Sequence, residues 1–167
     1  MTTVPPNSLV ACLESYMNPA LPVGTLLSND ATAPALHLIP APTLAKLRNL
    51  GPARTKDMRS LGYTKQILSH IPIEANASTC AKFNNALYAS IQLNTDKFAA
   101  LAMLPTEGKE AAKELQRCVT KMKFVGGVVA SRCGASLHEG YDELWDTAEK
   151  YRVPIVVREL WPTGAEV

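Results

Sequence analysis

The sequence predicts an α/β protein with parallel strands, and three observations carry that prediction. Five short apolar runs recur along the chain, amphipathic helical patterns lie between them, and from the second run onward the repeat is about 25 to 35 residues long. A strand, a crossover helix and the next parallel strand need a unit of this size, with right-handed crossovers. Dividing a barrel of ~250 residues into eight units gives ~31 residues each. An open doubly wound sheet satisfies the same alternation, so the pattern alone leaves both architectures standing.

The elements follow in order. The first run, Leu9 to Leu13, precedes a segment rich in Pro, Ala and Thr over residues 18–45, which reads as a long excursion where barrel loops vary most. Pro52 suits a helix N-terminus and Gly62 the position past a C-terminus, which frames Ala53 to Leu61 as a short helix. The second run is Lys65 to Ser69, and the helix after it, Thr79 to Gln92, carries a stripe of Cys80, Phe83, Leu87 and Ile91. Phe98 to Leu104 is the third run. Glu107 to Met122 then places Ala111, Leu115, Cys118, Val119 and Met122 at spacings of three and four. The fourth run, Phe124 to Ala130, contains Gly126-Gly127, read as close packing in a strand in preference to a phosphate-binding turn. Tyr141 to Tyr151, with Tyr141, Leu144, Trp145 and Ala148 on one face, leads to the fifth run, Pro154 to Val157. The apolar character of each run predicts strands buried on both faces.

At 167 residues and 47% apolar content, the chain is long enough for one core, so residues 1–167 are read as a single domain. The net charge of +2 comes from scattered residues without a basic run, which argues against nucleic acid as a partner. No stretch approaches the ~18 apolar residues of a membrane span, and the start lacks the pattern of a signal peptide, so a cytoplasmic protein without a membrane partner is expected. Cys12, Cys80, Cys118 and Cys133 form no C-x-x-C pair and read as reduced apolar fillers. Cys80 lies near a helix start, where a thiol can be activated as a nucleophile, but its place in an apolar stripe favours packing.

Five blocks in fixed order resemble one known family: Phe98-Ala-Ala-Leu-Ala-Met-Leu-Pro105, Ala111-Ala-Lys-Glu-Leu-Gln-Arg-Cys118, Phe124-Val-Gly-Gly-Val-Val, Tyr141-Asp-Glu-Leu-Trp145 and Val153-Pro-Ile-Val-Val157. The family is the amidohydrolase-related decarboxylases, which include o-hydroxybenzoate and aminocarboxymuconate-semialdehyde decarboxylases. Val10 to Pro19 and Met58 to Pro72 also look like its first units. The resemblance decides for the barrel: a truncated (β/α)8 TIM-barrel-like fold of about five parallel strands with flanking helices. Five strands form an open arc with two free edges, so a homo-oligomer or a partner chain is expected to cover them.

What the resemblance implies for activity is metal-dependent, nonoxidative decarboxylation of an aromatic acid, a carboxy-lyase reaction. A carboxylate-x-His pair on the first strand and a His at the end of the fifth hold Zn²⁺ or Mn²⁺ at the C-terminal rim. On this sequence those positions fall at Leu13, Ser15 and Arg158, none of which can be the expected ligand. A one-residue slip brings in Glu14, but on the opposite face of the strand. Further family ligands, expected on the sixth and eighth strands, would lie beyond Val167. The expectation is therefore a degenerate homologue without a resident metal, a pseudoenzyme serving as a ligand- or partner-binding scaffold. Glu14, Ser15 and Arg158 are its candidate contacts to an aromatic carboxylic acid. The alternative is a metal-independent decarboxylase, cyclase or isomerase acting on an aromatic or polyketide-like acid through Arg158 and His70. His70 otherwise reads as a hydrogen-bonded rim histidine, His138 as a helix-capping or surface residue, and His37 as solvated.

Overall fold

The computed structural model describes residues 9–20, 34–131 and 139–167. Five parallel strands, β1 (Leu9–Tyr16), β2 (Tyr63–His70), β3 (Phe98–Leu104), β4 (Gly126–Ser131) and β5 (Ile155–Glu159), pair in sequence order within one sheet. The helices are α1 (Ala41–Arg48), α2 (Pro52–Ser60), α3 (Ala77–Ile91), α4 (Gly108–Met122) and α5 (Asp142–Tyr151). Sequential order with every pair parallel requires each crossover to turn the same way, which curls the sheet into part of a barrel with its helices outside.

The helix stripes explain the main core. Ala111, Leu115 and Cys118 of α4 and Leu144 of α5 are fully buried against Phe98, Ala100, Ala102 and Val129 on the outer face of the sheet. Gly127 allows this approach, since a Cβ there would stand 2.7 Å from Leu104 Cδ1 and 3.1 Å from Leu115 Cδ1, while at Gly126 a Cβ would stand 2.5 Å from the Pro154 carbonyl oxygen where the chain enters β5. The close-packing reading of the pair therefore has a direct physical cause. Helices α4 and α5 end in left-handed residues that are not glycine, Lys123 and Arg152, whose turns return a backbone N–H to the last helical carbonyls.

A buried polar cluster ties α3 and α4 to the sheet. Asn84 donates to the Met103 carbonyl at 2.9 Å and accepts from the Met103 N–H at 2.8 Å, acting as a one-residue strand partner. Its amide also donates to Glu114 at 2.7 Å, and Arg117 closes on the same carboxylate. Burial alone would raise the Glu114 carboxyl, but the hydrogen bonds from Arg117 and Asn84 outweigh it and hold it below the usual range.

Two expectations need correction. The end of the excursion is not all loop: α1 starts beside Pro40 with a second proline in its first turn, and Leu44 and Leu47 pack on a second core cluster with Met17, Ile71 and Phe83. Nor are all strands buried on both faces. β3 and β4 are, but Leu9, Val10 and Leu13 of β1 and Val157 of β5 are 42 to 55% exposed, because these are the edge strands of the arc. Cys12 and Leu13 together oppose only Ile67, a bulge that bends β1 before its functional end.

The outer edge of β1 is satisfied by this chain at its C-terminal end. The Tyr16 carbonyl accepts from Ile71 N–H and so faces β2, which turns the Ser15 carbonyl and the Met17 N–H toward the open edge. Arg54 of α2 places both terminal guanidinium nitrogens 3.3 Å from the Ser15 carbonyl, and Met17 N–H donates to the Leu47 carbonyl at 3.1 Å. Arg54 Nε also donates to Gln66 at 2.8 Å. Arg54→Ala is expected to lower unfolding stability by about 1–3 kcal/mol through the unpaired carbonyl and amide it leaves. Urea denaturation measures that loss, and size exclusion should show self-association rising with concentration as the edge opens.

Candidate functional site

The C-terminal ends of parallel barrel strands form the rim on which ligands are bound. Strand periodicity decides which residues face the concave side. Leu68 is fully buried in the helix-side core, so Ser69 faces inward, and Ser15, its register partner on β1, lies beside it. On β5, Ile155 packs on the helix-side core, so Val156 and Arg158 occupy alternating positions, the latter reaching inward. Arg158 Nη1 donates to Ser69 Oγ at 3.1 Å. β2 and β5 are three pairings apart, ~14 Å in a flat sheet at ~4.8 Å per strand. That bond exists because the sheet is curled.

Arg158 is half-buried, and loss of hydration lowers its pKa from the ordinary arginine value without removing its charge. Among the described residues no carboxylate lies within ion-pair distance of it. It borders a cavity of about 810 Å³ that is also lined by Pro72, Glu159, Leu160, Trp161 and Glu166. The segment after β5 roofs this space: Leu160 N–H donates to the Ser131 carbonyl, Trp161 N–H to Pro72 and Ala35 N–H to Pro162. Two rim loops and the end of β4 thus hold one strap.

The other candidates are placed differently. Glu14 registers with Leu68, so it faces the helices, 3.6 Å from Arg54, and does not join Ser15 and Arg158 on the concave side. Leu13 sits in the bulge at the exposed edge. His70 shares the helix-side face, stacked on Phe83 at 4.6 Å. Its Nε2 accepts from the Asn18 N–H at 3.1 Å and its Nδ1 lies 2.9 Å from the Ile71 carbonyl, which defines a neutral ring protonated on Nδ1. Both nitrogens are committed to the scaffold, so the geometry does not bring His70 and Arg158 to one ligand. His37 is exposed in a short 3₁₀ turn, while His138 and Cys133 lie outside the described residues. Cys80 is fully buried, and burial, reinforced by the Glu114 charge, pushes its thiol up to about 12, the opposite of an activated nucleophile.

Ser69 and Trp161 were not visible as site residues in the sequence. A serine in an apolar run carries no local signal, and its partner is 89 residues away.

No protein-family model matches the chain. It is 35% identical over 126 residues to decarboxylase orsB of Emericella nidulans, covering 71% of this chain and 38% of that protein. The 5-carboxyvanillate decarboxylase of Novosphingobium aromaticivorans, solved with manganese and 3-methoxy-4-hydroxy-5-nitrobenzoic acid, superposes with a TM-score of 0.78 at 21% identity, covering 90% of this chain and 50% of that one. The 2,6-dihydroxybenzoate decarboxylase from Rhizobium gives a TM-score of 0.69 at 25% identity, covering 89% and 49%. The chain belongs to the amidohydrolase-related decarboxylase family. It spans about half the length of these solved relatives and a smaller share of the curated one.

The resemblance implies a metal held from the positions of Leu13, Ser15 and Arg158. A hydrocarbon at Leu13, a hydroxyl at Ser15 and a permanent cation at Arg158 are not a donor set for Zn²⁺ or Mn²⁺. Among the described residues no three His, Cys, Asp or Glu side chains come together to hold an ion. These residues do not fit the group. Also among the described residues, no helix is long and apolar enough to cross a membrane.

His70 makes a pH dependence. Burial pushes its imidazole down to about 4, against a smaller opposing effect of the hydrogen bond to Ile71, whereas the unfolded chain titrates near ~6.5. Between those values the unfolded state binds more protons, so stability is fully present above pH ~6.5 and declines as pH falls toward 4, by about 3 kcal/mol from this group. Chemical denaturation from pH 4 to 8 should show that slope, and His70→Gln should flatten it.

Proposed function

We propose that this half-barrel binds an aromatic carboxylic acid at its concave rim through Arg158 and without metal chemistry, acting as a ligand- or partner-binding scaffold in place of a decarboxylase. The supporting observation is Arg158 itself: a half-buried cation, at a position where the resemblance implies a metal ligand, held by Ser69 and with no carboxylate within ion-pair distance among the described residues. In the family reading, a metal draws in the substrate carboxylate and stabilises charge as carbon dioxide leaves. A guanidinium binds the same carboxylate by two parallel hydrogen bonds. It supplies neither a second coordination site for an ortho-hydroxyl nor a proton for the ring carbon, so binding persists while turnover does not. The solved relatives carry nitrobenzoic acid and dihydroxybenzoate ligands, which makes o-hydroxybenzoates the first acids to test. The protein should bind 2,6-dihydroxybenzoate in calorimetry and release no carbon dioxide from it. Arg158→Ala should weaken binding at least tenfold, as loss of a charge-assisted pair requires. Turnover with carbon dioxide release, or undiminished binding by Arg158→Ala, would defeat the proposal.

A second reading concerns the edges, and it is compatible with the first. Leu9, Val10 and Leu13 on β1 and Val157 on β5 expose apolar surface at the two ends of the arc. Because Arg54 and Leu47 already occupy the end of the β1 edge, the segment left for a second copy of this chain is Leu9 to Leu13. Light scattering at micromolar concentration should give a mass above that of one 18.0 kDa chain, and Val10→Lys should shift it toward the monomer. A monomer in the unsubstituted protein would exclude this reading.

A further inference from the structure

Resting on the reading of Arg158 as the carboxylate site, we propose that Ser69 is the positioning residue for its guanidinium and that the Trp161 strap forms the wall for the ligand's ring, so that the site selects planar aromatic monoanions. Ser69 is fully buried on β2, a rigid central strand, and its hydroxyl takes Nη1 at 3.1 Å. An arginine fork has two edges that match a carboxylate. Fixing Nη1 on Ser69 commits one of them and leaves the Nε–Nη2 edge for a bidentate ligand. Without the serine the long side chain would have to be ordered by the ligand alone, at an entropic cost.

The cavity then sets the rest of the selectivity. Its volume of about 810 Å³ is within the range of small-molecule sites, ~300–1,000 Å³. Trp161 and Leu160 give it an apolar wall, and the strap is pinned at Ser131, Pro72 and Ala35, which keeps that wall in place. The Trp161 indole N–H has no accessible surface, so the residue offers the ligand an apolar wall and no donor. Two carboxylates line the same space: Glu159, and Glu166, which accepts from the Thr163 N–H and hydroxyl at 2.8 and 2.9 Å. Both lie outside ion-pair distance of Arg158, the one cation among the described lining residues, so a second negative charge on the ligand would meet carboxylates and no further cation.

The test uses the full chain carrying Trp145→Phe, so that Trp161 is the only remaining tryptophan and reports on its own site. Fluorescence is followed during titration with benzoate, with its neutral isostere benzamide and with the dianion phthalate at constant ionic strength. The expected result is a saturable change with benzoate and affinity at least tenfold weaker for benzamide and phthalate. Ser69→Ala should weaken benzoate binding about tenfold or more, the loss of one hydrogen bond to a charged group. Ser69→Thr, which keeps the hydroxyl, should restore it, and circular dichroism of both variants checks that the fold is retained. If Ser69→Ala binds benzoate as the parent does while Arg158→Ala does not, the positioning role is wrong and the carboxylate reading stands. If Arg158→Ala also binds as the parent does, both fall. Phthalate or benzamide binding as tightly as benzoate would overturn the selectivity.

Discussion

A parallel sheet that stops at five strands presents unpaired N–H and carbonyl groups along its outer edges, and each such group is costly wherever water is kept out. In this chain the constraint is met at the functional end of β1. Arg54 forks onto the Ser15 carbonyl, and Leu47 accepts from Met17. That cap determines much else. It fixes α2 against β1 and β2 through Gln66, draws Glu14 to the helix side, and gives the end of the proline-rich excursion a place to fold as α1. With the edge held, Ser15 and Ser69 stay in register at the rim.

The side chains that build the scaffold and those that would carry chemistry lie on opposite faces of the same strands. Leu68, Val129 and Ile155 pack outward among the helices, while Ser69, Ala130 and Arg158 alternate with them toward the concavity. This separation is consistent with a family fold retained at TM-scores of 0.69 to 0.78 while rim side chains vary. Arg158 at the rim remains compatible with the fold because Ser69 gives its guanidinium a hydrogen bond across the arc.

Much of the fold was legible because its signals are local. The stripes of α3, α4 and α5, the Pro52 and Gly62 boundaries of α2 and the five apolar runs are read from spacing alone, and the structure has all of them. The misses share a physical cause. Apolar runs do not distinguish a central strand from an edge strand, so the exposure of β1 and β5 was not foreseen. Prolines read as loop punctuation concealed α1, where they occupy the first turn that tolerates them. Lys123 and Arg152 end helices in a left-handed conformation that usually marks glycine. At the site, Arg158 was legible as a departure from a pattern, whereas Ser69 and Trp161 acquire meaning only once strands far apart in sequence curl around the same space.

We propose that Arg158, in place of a metal, holds an aromatic carboxylate at the rim. The most direct measurement is calorimetric titration with 2,6-dihydroxybenzoate of one protein preparation, first stripped with a chelator and then supplied with Mn²⁺, alongside elemental analysis of the bound ion. The account predicts the same affinity in both conditions and no stoichiometric manganese or zinc. Binding that appears only with the ion, at one equivalent per chain, would contradict it.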